Sequence, residues 1–429
     1  MGVTVGETSI MSGQQPLHSQ FIVPQYQSNC FSNIPAFVRS LLLGEAPSRL
    51  ALANHSRVPQ RSRHVIFLFL DSFGWQFFEQ HADSYPFLRR FLAGGSVTRL
   101  TSQFPSTTAA HVTTLYTGVP AGQHGVFEWQ YYEPRLDTLI SPLLFSFAGT
   151  KTPDTLLPTG VKPEEILPPA DFVQDLARGG VACTIFQKNT YANSTYSRWI
   201  GQGATLVPFR TLAEGLSAVS RVLKQQTGTT FLCLYYDQID FVSHNHGPNS
   251  PSFLAELDEC FAALERWFRE DLAKAPRDTV LVITADHGQI PVTPPTTIYL
   301  NRQPQIGHLQ PMLRVNRAGN AIVPGGSCRD MFLYIQETAL DDAHALLSSQ
   351  LEGKAMVCRV SELIAQGYFG PLPVSETFLS HVGNLVILPF EGEAVWWYEE
   401  GRFEQKFFGH HGGLTPGEME IPLLIYALG

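Results

Sequence analysis

The chain has 429 residues, 44% of them hydrophobic and 16% charged, with a formal net charge of −9. That composition excludes an intrinsically disordered chain, and the length allows a core large enough for two or three domains. The negative balance argues against a nucleic-acid polymer as partner, because a phosphate backbone requires a cationic surface, yet it permits a small anion held through bound metal ions.

Met1 to Pro24 lacks the basic start and apolar centre of a signal peptide and reads as a polar tail. Apolar runs such as Val65 to Leu70 are far too short to form a membrane segment. Cys30, Cys183, Cys233, Cys260, Cys328 and Cys358 are scattered without CxxC pairing, which points to a reduced, cytoplasmic setting. The oligomeric state is left open.

Val65 to Leu70 is continuously apolar, as a strand covered on both faces should be. Val181 to Phe186 predicts another strand. Leu212, Leu216, Val219 and Leu223 follow helical spacing before a strand at Thr230 to Tyr235. Phe253, Leu257, Phe261, Leu264, Phe268 and Leu272 form one apolar stripe of a long helix, with Ser252 as its expected N-cap and Pro276 closing the unit. A strand from Thr279 follows, and the last strand is expected at Leu423 to Ala427. Such alternation predicts an α/β fold with a mainly parallel central sheet flanked by helices. Between Pro291 and Gly409, Pro and Gly become frequent and short β-like runs appear at Met331 to Ile335 and Leu385 to Leu388. The expected organisation is a tail and lead-in over 1–60, a catalytic core over 61–290, a small inserted α+β cap subdomain over 291–408, and a return to the core over 409–429.

Five segments carry chemistry. The first strand ends in Asp71-Ser72-Phe73-Gly74, where a carboxylate can meet a ligand, although a turn or N-cap Asp is the commoner reading. Ser106-Thr107-Thr108 precedes a small-residue segment and then Thr117-Gly118 and His124-Gly125. A hydroxyl at a helix start sits near the positive end of the dipole and suits a nucleophile for a phosphoryl group, but residue physics alone does not choose among the three. Asp240 and His244 lie one helical turn apart, with Asp237 and His246 as competing ligand candidates. Asp286-His287-Gly288 ends an apolar strand, and His410-His411 stands among glycines before the terminal strand. Each segment alone fits a solvated loop. Together Asp71, Asp240, His244, Asp286, His287 and His411 supply three carboxylates and three imidazoles without a thiolate. That donor set suits two divalent ions, zinc or alternatively manganese, better than magnesium or calcium.

In this order the motifs resemble the type I phosphodiesterase/nucleotide pyrophosphatase family of the alkaline phosphatase superfamily, from about residue 64 to the C-terminus. The resemblance implies an alkaline-phosphatase-like core and selects Thr108, ten positions before Gly118, as the nucleophile. It implies one metal at Asp71, Asp286 and His287 beside Thr108, and a second at Asp240, His244 and His411. The activity implied is hydrolysis of phosphodiester or pyrophosphate bonds in a small phosphate-containing substrate such as a nucleotide, through a phosphothreonine. Family members commonly carry an Asn shortly after the His-Gly pair, whereas Val126-Phe127-Glu128-Trp129 stands here; Trp129 could supply an indole N–H instead. Lys188 is a second substrate-contact candidate, against the commoner reading of a solvated loop lysine. Within the superfamily the alternatives are a phosphomonoesterase and a phosphonate hydrolase; Thr108 excludes a formylglycine sulfatase, and a phosphoglycerate mutase would be expected to use Ser. A non-catalytic metal-binding protein is the contrasting class.

Overall fold

The continuous apolar run at Val65 becomes strand β1 (His64–Leu70), buried at every residue. The computed structural model describes residues 15–45 and 48–428. Around β1 stand β2 (Ser96–Thr101), β3 (Ala182–Lys188), β4 (Ala204–Phe209), β5 (Thr230–Tyr236), β6 (Thr279–Thr284) and β7 (Glu420–Leu428), in the order β2-β7-β6-β1-β5-β3-β4. β1 pairs in parallel with β5 and β6, and β3 in parallel with β5 and β4. β7 runs antiparallel to both of its neighbours. This is the mainly parallel α/β sheet expected, with its centre at β1.

β2 and β4 were not anticipated. They are the two edge strands, and Pro208 in β4 is tolerated there because an edge strand need not donate every N–H. The helices α1 (Thr108–Thr117), α2 (Leu212–Gln225), α3 (Gln238–His246) and α4 (Pro251–Glu270) connect the strands. The stripe of α4 is buried at Phe253, Leu257, Phe261, Leu264 and Phe268, but the cap is Ser250, not Ser252. Ser250 accepts from the Phe253 N–H, and Pro251 fills the first helical position, where its missing N–H costs nothing. Leu272 lies beyond α4 in a separate turn, Leu272–Lys274.

The polar tail expected through Pro24 does not hold over the part the structure describes. Phe21 and Val23 are buried, and the Ile22 N–H donates to Leu414 O at 2.8 Å, so this segment is fastened beside the terminal motif. The rest of that reading, residues 1–14, lies outside the described residues.

A second, antiparallel sheet runs Gly325–Ser327, Asp330–Leu333, Leu385–Pro389, Ala355–Arg359. Its two middle strands, Asp330–Leu333 and Leu385–Pro389, are buried at every residue because both faces are covered. Phe332, Val386 and Leu388 enter the large core, whereas Met331, Leu333, Leu385 and Ile387 point into a separate cluster with Leu347 and Trp396. This alternation is the two-residue period of a strand serving two cores. Tyr132 and Leu139, from a small sheet at Tyr131–Glu133 and Thr138–Ser141, join the second cluster. All six cysteines are free and buried. Among the described residues no helix is long and apolar enough to cross a membrane.

Candidate active site

Strand register brings the first two carboxylates together. Phe69 of β1 lies opposite Thr284 of β6, so Asp71 and Asp286, each two residues further on, leave the sheet side by side at its C-terminal edge. β5 flanks β1 on the other side and leads into α3, which carries Asp240 and His244 on one face. The short pairing of Ile290 with His410 then swings His411 back beside the segment that carries His287. Six residues spread over 340 positions of chain thereby reach one edge of the sheet, where folds of this class keep their chemistry.

Asp71, Asp286 and His287 present ligand atoms within 4.8 Å of one another, as do Asp240, His287 and His411. The His287 Nε2 is 3.3 Å from Asp286 Oδ2 and 3.6 Å from Asp71 Oδ1. The His244 Nε2 is 3.4 Å, and the His411 Nε2 3.8 Å, from the Asp240 carboxylate. His287 stands between the two groups, its ring stacked on His411 at 3.5 Å between centroids. Each imidazole commits Nδ1 to a main-chain carbonyl: His244 to Gly409, His287 to Gly288 and His411 to Ser106, at 2.8, 3.0 and 2.9 Å. The three Nε2 atoms therefore face the cluster as acceptors, the orientation a cation requires.

Of the three adjacent hydroxyls, Thr108's reaches the cluster. Its Oγ1 is 3.1 Å from His287 Nε2, and Thr108 is the first residue of α1, where amides lack intrahelical acceptors. Ser106 is fully buried and donates to Gly413 O at 2.8 Å, while the Thr107 hydroxyl meets the Glu128 carboxyl.

Electrostatics favour a bound cation. Burial, then mutual repulsion, pushes Asp71 and Asp240 well above the usual carboxylate range, and burial also raises Asp286. Burial lowers His244 to about 4 and His287 to about 3 and holds His411 well below its ordinary value. Asp71 Oδ1 and Asp286 Oδ2 are buried with no hydrogen-bond partner. Packed carboxylates with orphaned oxygens and neutral imidazoles aimed at the same space fit divalent ions of the zinc or manganese type.

Backbone approach is equally specific. A Cβ on Gly288 would lie 2.2 Å from Gly417 O, and one on Gly74 2.5 Å from Gly288 Cα, so only glycine lets these three loops close under His287.

The other candidates are engaged elsewhere. Lys188 Nζ is 2.5 Å from Asp237 Oδ1 and donates to Gln238 Oε1 at 2.8 Å, so its charge is paired, and Asp237 with it. His246 is exposed at the end of α3. Trp129 is 43% exposed, and its main-chain N–H donates to the carboxylate of Glu128. Glu128 is buried, hydrogen-bonds Asp330 of the second sheet, and is pushed up to about 7 by burial. The Glu128 side chain thus turns into the protein.

Two supporting residues escaped the sequence reading. Tyr235 O–H donates to Asp71 Oδ2 and leaves Oδ1 for the cluster; Gln289 donates to Asp240 Oδ1. The strand ends in Tyr235-Tyr236, and the sequence carries no signal that separates the two. Tyr235→Phe is expected to weaken divalent-ion binding about 10–100-fold by calorimetry, with the fold intact by circular dichroism. Unchanged affinity would remove this role.

A family model described as Type I phosphodiesterase / nucleotide pyrophosphatase matches residues 65–414. Among solved structures, an inactive form of murine ectonucleotide pyrophosphatase / phosphodiesterase 5 in complex with AMP superposes with a TM-score of 0.61 at 16% identity, covering 85% of this chain and 88% of that one. The human counterpart gives 0.58 at 14%, covering 85% and 87%. Phosphonoacetate hydrolase from Sinorhizobium meliloti 1021, in complex with phosphonoacetate, gives 0.59 at 17%, covering 85% and 90%. No curated protein sequence matches.

Proposed function

Because the chain belongs to the type I phosphodiesterase/nucleotide pyrophosphatase family of the alkaline phosphatase superfamily, we propose that it hydrolyses phosphodiester or pyrophosphate bonds of a small substrate through a phosphothreonine at Thr108. The observation that carries this reading is the Thr108 hydroxyl, 3.1 Å from His287 at the edge of a cluster of three carboxylates and three imidazoles. Asp71, Asp286 and His287 would hold one divalent ion, and Asp240, His244 and His411 a second. When bound, such a pair supplies Lewis-acid activation of a hydroxyl and charge stabilisation at the attacking and departing oxygens.

The protein's own groups do the rest. The start of α1 directs its dipole and first amides at an incoming phosphoryl group. Thr108 Oγ1 forms the new bond to phosphorus as the bond to the departing oxygen breaks; its proton passes to water, and the departing oxygen takes one from water. Hydrolysis of the phosphothreonine returns that proton and frees the hydroxyl. Nδ1 anchoring on Gly409, Gly288 and Ser106 fixes the imidazoles so that no reorientation accompanies the step.

AMP and phosphonoacetate, the ligands of the two neighbours, are both small phosphoryl compounds, which supports that substrate class here. A phosphonate hydrolase is the second reading, supported by the likeness to phosphonoacetate hydrolase. A panel of p-nitrophenyl phosphate monoesters and diesters, with phosphonoacetate, tests both. Metal-dependent diester turnover is expected; cleavage of phosphonoacetate alone would favour the second reading.

Chelation is expected to abolish turnover, and zinc or manganese to restore it. Because the site carboxyls bind protons above their ordinary range, a cation must displace those protons, and its affinity rises with pH. Calorimetry between pH 5 and 8 is expected to show affinity rising with pH. A pH-independent affinity would contradict the ligand assignment.

A further inference from the structure

Three phenylalanines stand in water beside His244. Phe241 is 59% exposed, Phe407 40% and Phe408 50%. Single exposed apolar side chains are ordinary, but these all neighbour His244, and Phe407 packs on its ring. The Phe407 ring lies 4.6 Å from the His244 ring and 6.0 Å from that of His410, between centroids. The Phe408 N–H donates to His244 O at 2.8 Å, and Phe241 precedes His244 by three residues on α3. Gln405 grips the Phe407 main chain from both sides, accepting from its N–H at 2.8 Å and donating to its carbonyl at 2.9 Å. The aromatic surface is therefore anchored against an imidazole of the cluster.

We propose that Phe241, Phe407 and Phe408 form an apolar wall for the departing group, and that the substrates are phosphoryl esters whose departing alcohol carries an aryl ring or an alkyl chain of several carbons. The inference rests on the proposed phosphoryl-transfer site. Thr108 Oγ1 lies on the His287 side, so in-line displacement sends the departing oxygen towards Asp240, His244 and His411. Phe407 covers His244 there. A body seated on Phe407 is within reach of the phosphorus, which identifies it as part of the substrate and not as a partner protein. The Thr108 Oγ1–P bond forms as the P–O bond to the alcohol breaks; the threonine proton goes to water, and the departing alkoxide takes one from water.

Binding tests the wall without relying on turnover. Ethyl-, butyl- and hexylphosphonate place the chain on a carbon that does not depart, and calorimetry on metal-replete protein reads their affinities. At least a tenfold gain from ethyl to hexyl is expected, since buried methylenes add favourable transfer energy. In Phe407→Ser/Phe408→Ser the gain is expected to fall below threefold. Val315→Ser, at an exposed apolar position in a separate β-bridge, is expected to keep it. A chain-length-independent wild type, or a double variant that retains the full gain, overturns the wall. A gain without hydrolysis of any phosphoryl ester upholds the wall and removes the proposed activity; hydrolysis without a gain does the reverse.

Discussion

Thr108→Ala is expected to lower turnover at least about 10³-fold, as removal of a covalent nucleophile does, while both divalent ions stay bound. The substitution deletes one hydroxyl at the first position of α1, where alanine is compatible with the helix. Its side-chain partner is His287 Nε2, so no buried donor is stranded. Thr108→Ser restores a hydroxyl at the same place and is expected to recover most of the rate. Rapid quenching of the wild type should trap phosphate on Thr108, and the alanine variant should trap none. Full turnover in the alanine variant would move the chemistry to another group. Ser106 and Thr107 are poor replacements, because the Gly412–Gly413 main chain and Glu128 already engage their hydroxyls.

Arg329→Met is expected to cost about 3–5 kcal/mol of stability, the range for removing one partner of a buried ion pair. Arg329 and Glu418 are both fully buried, and two parallel hydrogen bonds of 3.0 Å join them. Arg329 also donates to the carbonyls of Pro389 and Phe390 at 3.1 and 2.9 Å and to that of Glu393. Without it, Glu418 would keep only Thr415 and the Gly413 N–H as partners in a dry setting. The consequence extends to the site: Gly413 is held by Ser106 Oγ, and Ser106 O anchors His411 Nδ1. Chemical denaturation and divalent-ion calorimetry on the same variant should therefore show loss of stability together with weaker binding at the His411 side. Arg329→Met with Glu418→Leu removes both charges and is expected to regain much of the stability. A single variant within 1 kcal/mol of wild type, the scale of a minor surface change, would contradict this account of the pair.

Local patterns revealed most of the central sheet. β1, β5 and β6 are unbroken apolar runs because helices cover both faces, and their ends carry Asp71, Asp237 and Asp286 in plain view. The edge strands β2 and β4 were hidden because Ser, Thr and Arg interrupt the first and Pro208 the second. Ser252 was a plausible cap by composition, but Pro251 between two serines belongs inside the first turn, which places the cap at Ser250. Tyr235 and Gln289 were illegible because their partners are set by strand register and loop approach, 164 and 49 residues away. Arg329 and Glu418 lie 89 residues apart, and neither neighbourhood advertises a buried charge. Lys188 shows the opposite limit. A lysine at the end of an apolar strand invites a substrate role, but Asp237 and Gln238 meet it first.

Anomalous diffraction from crystals of metal-replete protein, recorded at the zinc and manganese absorption edges, tests the ligand cluster most directly. Two peaks about 4 Å apart are expected, one within bonding reach of Asp71, Asp286, His287 and Thr108 Oγ1, the other of Asp240, His244 and His411. Active crystals with no peak beside these side chains would contradict the two-ion site.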